Sequence, residues 1–215
     1  MAPFRTVWKV SLALVVLIAA ATLTSSFWTA QIARSLICAE DATPSDAMLV
    51  ENFDVNYLLF ERAETLERAA VARLVLVPVE ASSRPDVANP VSQGIAEVMA
   101  RQARLRTWRT IPIELIEPIS LNAALQIRSR LTAEGIKSII VVAPGFRSRR
   151  SFLVYRTVFG GAGLAVHCVP VFGRIGPEHW TQTWHGIQEV VEEFLKLQYY
   201  RLYVLPFRAR HAGQS

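Results

Sequence analysis

The chain has 215 residues, with 23 Lys and Arg against 18 Asp and Glu, a formal net charge of +5, and 52% hydrophobic residues. That apolar content excludes a disordered polypeptide. The basic balance comes with no nucleic-acid-binding motif, and neither Cys-x-x-Cys nor His-x-x-x-His spacing occurs, so nucleic acid is excluded as a partner and the sequence names no metal and no cofactor.

The first feature in chain order is Val10 to Ala33, which contains no charged residue. At the helical rise its roughly 24 positions are long enough to cross a bilayer core of roughly 30 Å. Arg5 and Lys9 precede it, and Trp8 and Trp28 stand near its two edges, where amphipathic rings favour the headgroup zone. The expectation is a single-pass anchor over 10–33 in the inner (plasma) membrane. Its amino end, 1–9, would be cytoplasmic and the rest of the chain extracytoplasmic. A cleaved signal peptide is the rival reading, because the most apolar part, Val10 to Leu23, is short. The lack of an Ala-x-Ala site after Ser26 favours the uncleaved anchor. A linker (34–45), one domain (46–205) and a basic tail (206–215) follow.

Within the domain the pattern alternates strand and helix. Asp46 to Val50 reads as a strand, Tyr57 to Ala70 as a helix and Arg73 to Val79 as a second strand. A loop with Pro85, Asn89 and Pro90 leads into a helix over Val91 to Ala103, and Ile113 to Ile116 forms a short third strand. Ser120 or Asn122 can cap a helix that runs to Glu134, where Gly135 ends it. Ser138 to Ala143 is a nearly continuous β-branched run, the signature of a strand covered on both faces, and Pro144-Gly145 stops it. A helix carrying Phe152, Leu153, Tyr155 and Val158, a strand over Leu164 to Val169 and a long last helix complete the set. Regular alternation predicts an α/β fold, a Rossmann-like three-layer sandwich with a mostly parallel sheet, preceded by one transmembrane helix.

Some local signals are structural. Gly160-Gly-Ala-Gly163 ends a helix and opens a strand, the reverse of a phosphate loop, and is read as a helix stop. Alternation within a strand makes His167 structural. Helical spacing favours core packing over ligand stacking for Trp180 and Trp184, although they and the neighbouring His179 and His185 follow a strand that delivers residues to the crevice side. The arginines between Arg101 and Arg109 are read as a solvated helix end and loop. Cys168 is expected to be buried and free, since nothing in the flanking residues of Cys38 and Cys168 provides geometry for a bridge, although oxidising conditions would permit one.

Polar chemistry collects around the Ser138 strand. Glu117, Ser120 and Asn122 precede it, and Arg147, Arg149 and Arg150 follow it in a first helical turn, where cations oppose the macrodipole. An anionic ligand, or a carboxylate such as Glu117, would offset that cost; otherwise these arginines point into water. Open α/β sheets bind ligands at the carboxyl ends of their strands, which is where these residues converge.

On these residues the chain resembles the bacterial envelope proteins related to YdcF, SanA and ElyC. That family shows an acidic residue, then Ser and Asn opening a helix, a strand, and an aromatic-His-x-x-Arg-small element. Glu117, Ser120 and Asn122 match the first part and Phe146, Arg150 and Ser151 the second, with Arg147 in the position of the family's His. The glycine-rich turns that usually follow the first two strands are replaced by Glu51-Asn52-Phe53-Asp54 and Glu80-Ala81-Ser82-Ser83, so the resemblance is to a divergent member. It implies an envelope-biogenesis protein whose crevice recognises an anionic small molecule or a lipid-linked, phosphate-bearing or glycan-linked envelope precursor. In that reading Arg150 clamps the anion, with Arg147 beside it, Ser120 and Asn122 donate from the helix start, and Glu117 serves as acid/base or orients Arg150. The alternative is a non-catalytic interaction module that works with envelope-assembly proteins in a cell-wall or polysaccharide assembly.

Overall fold

The structure, a computed structural model, describes residues 15–16, 27–54 and 56–207. Most of the expected anchor, with Arg5, Trp8 and Lys9 before it, and the tail beyond residue 207 lie outside the described residues. Among the described residues no helix is long and apolar enough to cross a membrane.

Five strands, β1 (Ser45–Val50), β2 (Ala72–Glu80), β3 (Trp108–Ile113), β4 (Ser138–Pro144) and β5 (Ala165–Val171), form one sheet in the order β3-β2-β1-β4-β5. Every neighbouring pair is parallel. The crossovers are α1 (Tyr57–Arg68), α2 (Pro90–Ala103), α3 (Ile119–Ala133) and α4 (Ser148–Gly160), and α5 (Trp184–Tyr199) continues through a π-turn over Tyr200–Val204. Alternate residues of the central strands serve opposite layers. Met48, Val50, Ile140 and Val142 pack with α1 and α2, while Ala47, Leu49, Ile139 and Val141 pack with α3 and α4. The three-layer Rossmann-like reading therefore holds, with a wholly parallel sheet whose inner strands are buried on both faces.

Local chemistry explains the helix starts. Asn56 accepts from the Leu58 amide at 3.1 Å and Asn89 from the Val91 amide at 2.9 Å, and Pro90, which has no amide hydrogen to satisfy, opens α2. Thr183 caps α5 through the Gly186 amide at 3.1 Å. Gly145 turns the chain out of β4, where a Cβ would stand 2.1 Å from the Phe172 ring.

Three sequence expectations are corrected. The third strand is Trp108–Ile113 instead of Ile113 to Ile116, and it pairs with β2 from Val75 opposite Trp108 to Glu80 opposite Ile113. It is an edge strand, which tolerates Pro112 and the polar Arg109 and Thr110, and the apolar Leu115 and Ile116 that suggested a strand are exposed beyond its end. Trp180 is buried as expected, its indole Nε1 donating to the Thr29 carbonyl at 3.1 Å, but Trp184 is 72% exposed. The helical spacing that put both tryptophans on one face fails because Thr183 begins a new helix between them.

The third correction concerns the cysteines. Cys38 and Cys168 form a disulfide across 130 residues, with Cα atoms 6.4 Å apart. What brings them together is long-range pairing that their flanking residues do not reveal. The Asp41 amide donates to the Cys168 carbonyl at 2.8 Å, the Cys38 amide to Ser148 Oγ at 3.0 Å, and the Arg149 amide to the Leu36 carbonyl at 3.0 Å. Asp41 also meets His167 Nδ1 at 2.6 Å; the hydroxyl of Thr43, and after it this contact, hold the Asp41 carboxyl down to about 2. The segment read as a linker is thus docked on the domain. Ala33, Leu36 and Cys38 are buried, and residues 27–35 form a helix whose inner face packs with Phe146, Trp180, Val190 and Leu197.

A bridge closing so long a loop restricts the unfolded chain strongly. Reduction, or Cys38→Ser, should lower the unfolding free energy by about 2–5 kcal/mol, read from the urea midpoint. An unchanged midpoint would mean that the two thiols are not joined.

Candidate functional site

β1 and β4 are neighbours in the sheet, but the chain leaves β1 towards β2 and leaves β4 towards β5, so the strand order reverses between them. Loops after these two strands diverge to opposite faces and open a crevice, the usual ligand position in open α/β sheets. Here a cleft of about 460 Å³ lies at the carboxyl edge. Asn52, Phe53 and Asp54 reach it from the end of β1, Val79 and Glu80 from β2, and Ile113 from β3. Ser120 comes from the start of α3, Arg147 and Arg150 from the turn after β4, and Lys196, Tyr199 and Tyr200 from the last helix.

Arg150 is buried at 5% exposure and its donors are largely committed. Nε donates to Glu193 Oε2 at 3.1 Å, Nη2 to both Glu193 oxygens at 3.2 and 2.9 Å, and Nη1 to Ser120 Oγ at 2.7 Å. Its guanidinium also lies over the Tyr200 ring, 5.4 Å from the centroid. The carboxylate that offsets the cost of a cation in this first turn is therefore Glu193 of α5, not Glu117. Among the described residues no salt bridge joins Glu117 to an arginine; Glu117 is exposed at the mouth of the cleft, where Oε2 accepts from the Ile119 amide at 3.3 Å.

Ser120 and Asn122 do not cap α3. Pro118 occupies the cap position without a side-chain bond; Ser120 accepts from Arg150, and Asn122 Nδ2 donates back to the carbonyls of Ile116 and Glu117 at 3.0 Å each. Asn122 thus pins the loop that enters the helix, and Ser120 alone of the two lines the cleft.

Arg147 is placed differently from Arg150. Nη2 pairs with Asp54, and Nε approaches Glu193 Oε1 at 3.4 Å. Among the described residues Nη1 has no protein acceptor, and the side chain lines the cleft. Burial works against its charge, but Glu51, Glu193 and Asp54 outweigh that cost and its pKa is raised. Arg149 is exposed, as the plain solvated reading expects.

Behind the cleft stands Glu51, which is fully buried, with Ser151 Oγ 2.8 and 2.6 Å from its two carboxylate oxygens. Burial pushes its pKa up, against the pull of Arg147 and Arg150. The nearby Tyr155 hydroxyl is also buried, is pushed well up by the same desolvation, and has no hydrogen-bond partner among the described residues. Two guanidiniums, Arg147 and Arg150, thus face three carboxylates, Glu51, Asp54 and Glu193, with Lys196 Nζ at the edge, 3.9 Å from Glu193. Lys196 Nζ also pairs with Glu192 at 2.5 Å, which completes the network.

Glu51 and Glu193 were not singled out from the sequence, although each carries a signal. Glu193 sits on the apolar face of α5 between Val190 and Leu197, and Glu51 directly follows the buried strand β1. An acid on a core-facing position requires a partner. Of the second expected group, Trp180 belongs to the core, while His185 lines a separate hollow with Asp54, Glu189 and Glu192. Among the described residues no group of three His, Cys, Asp or Glu is arranged to hold a metal ion. No protein-family model matches this chain, and no curated protein matches it either.

Two outcomes test the charge cluster. Arg150→Met or Glu193→Leu alone should cost about 3–5 kcal/mol, because each strands a buried charge. The double variant should cost clearly less than the sum, measured as urea midpoints in a double-mutant cycle. For Glu51 the sign follows from the raised folded pKa. Below the ordinary carboxyl value of 4.5 both states hold the proton; as pH climbs towards the folded value the unfolded chain ionises first and stability falls. Stability of Glu51→Gln relative to wild type should therefore rise with pH above 4.5, and a pH-independent difference would refute a raised Glu51 pKa.

Proposed function

We propose that this chain is a membrane-anchored envelope protein whose extracytoplasmic α/β domain binds a phosphate-bearing or glycan-linked envelope precursor in the switch-point cleft. The observation that carries this reading is Arg147, a guanidinium in the cleft with Nη1 uncommitted and Lys196 and Ser120 beside it. A planar cation with free donors suits a phosphate oxygen, and its pairing with Asp54 and Glu193 holds it ready. Arg147, rather than Arg150, takes the role of anion contact, and Arg150 becomes the residue that positions Ser120 and the last helix around it. Phe53, Ile95 and Leu115 add apolar surface to the lining of the cleft, which suits an amphiphilic ligand. The YdcF-like motif, with Arg147 at the His position, supports the same reading.

The compartment is argued from two features. A disulfide persists where the environment is oxidising, which the bacterial cytosol is not. The uncharged run also fits a bilayer span, with an amended end. Because Thr29 bonds Trp180 and Ala33 is buried in the domain, the span would stop near Trp28, still about 19 residues and about 28 Å.

A second reading, the non-catalytic interaction module, draws on the closed Arg150–Glu193 pair and on Glu117, which is exposed and, among the described residues, in no salt bridge. Titrating the full-length protein in detergent with a phosphomonoester amphiphile separates the two. Saturable binding is expected, weakened about tenfold or more by Arg147→Ala and partly restored by Arg147→Lys, with the fold unchanged. Absence of saturable binding by the wild type would leave the module reading.

A further inference from the structure

The last helix buries Gly186, Val190, Glu193 and Leu197 against the domain. On its opposite face, at spacings of seven and four residues, stand Trp184, Val191 and Leu195, exposed by 72, 50 and 62%, and Leu202, 72% exposed, follows in the π-turn. These two intervals return to one side of a helix, so the three make an apolar row along α5, with Gln188 and Gln198 flanking it and Leu202 exposed beyond its end. Exposed apolar residues are ordinary singly; a row of this length on an otherwise folded domain marks a docking surface.

We infer that this row lies on the surface of an anionic bilayer, the one that the uncharged run before Phe27 enters, and that it holds the mouth of the cleft at headgroup level. The inference rests on the anchor reading above. Three observations select lipid over a second copy of the chain. The helix over 27–35 is fastened on the inner face of the same element, through Trp180 to the Thr29 carbonyl at 3.1 Å and through Ala33 and Leu36 packed with Val190 and Leu197, so in the anchor reading the span joins the domain at the helix that carries the row. The charge complements anionic headgroups, since Arg201 is exposed at the end of the row and the acidic Glu192 is paired with Lys196. Tyr199 and Tyr203, stacked at 5.5 Å and half exposed, are the amphipathic rings that favour an interface. A helix with an apolar row, a basic end and exposed aromatics lies in the membrane plane. Tyr199 and Lys196 also line the cleft, so a docked helix would present the site to an amphiphile held in the same leaflet.

The test uses the full-length chain in vesicles of phosphatidylglycerol and phosphatidylethanolamine. An environment-sensitive fluorophore is placed through Leu195→Cys, Leu202→Cys or, as control, Arg73→Cys at the exposed amino end of β2, and lipid-borne spin labels serve as quenchers. Quenching at positions 195 and 202 should exceed that at position 73 by roughly twofold or more. Equal quenching at all three positions in protein that stays with carbonate-washed vesicles would overturn the docking and leave the anchor standing. Protein released by the wash would overturn the anchor reading and this inference with it. Cross-linking between copies at position 195 that persists on dilution with lipid, without excess quenching, would assign the row to a second copy and also overturn the proposal.

Discussion

The guanidinium of Arg150 joins three elements that share no strand. It rises from the first turn of α4, holds both oxygens of Glu193 on α5, and donates to Ser120 at the start of α3. A buried ion pair gives little net stability against a hydrophobic replacement, but it is unforgiving of misplacement, since either charge alone would be stranded away from water. The orientation of the last helix across the carboxyl edge of the sheet depends on this pair, and so do the walls of the cleft, because Lys196, Tyr199 and Tyr200 reach it from the same helix.

Around that pair the charges are arranged in order of burial. Glu51 lies deepest and is pushed towards its protonated form, Arg150 and Glu193 neutralise one another, and Arg147 stands between the buried group and the cleft with Asp54 at the rim. The outcome is a site in which one arginine is structural and its neighbour three residues earlier is available. A helical turn separates the two roles: one residue faces the core, and the other faces the space left where the loops after β1 and β4 part.

The amino-terminal segment adds a second constraint. The Cys38–Cys168 bridge and the hydrogen bonds around Asp41 tie residues 36–41 along β5, and Trp180 locks the preceding helix onto the domain through Thr29. Residues 27–41 are therefore docked on the domain instead of forming a free linker.

The sequence alone determined the layered α/β architecture, because strand and helix periodicities are local and a doubly buried β-branched run such as Ser138 to Ala143 has few other uses. It also pointed to the end of the sheet where the cleft lies, since Arg147 and Arg150 follow a central strand and both line that cleft. Partners were not legible. Arg150 meets Glu193 across 43 residues, Arg147 meets Asp54 across 93, and Cys38 meets Cys168 across 130, and nothing in the residues beside them encodes those distances. The edge strand Trp108–Ile113 was hidden for a related reason: half of an edge strand's environment is solvent, so its polar residues read as loop until β2 supplies the pairing. Tertiary structure decided which arginine keeps a donor uncommitted, because that depends on which carboxylates the folded chain brings within reach.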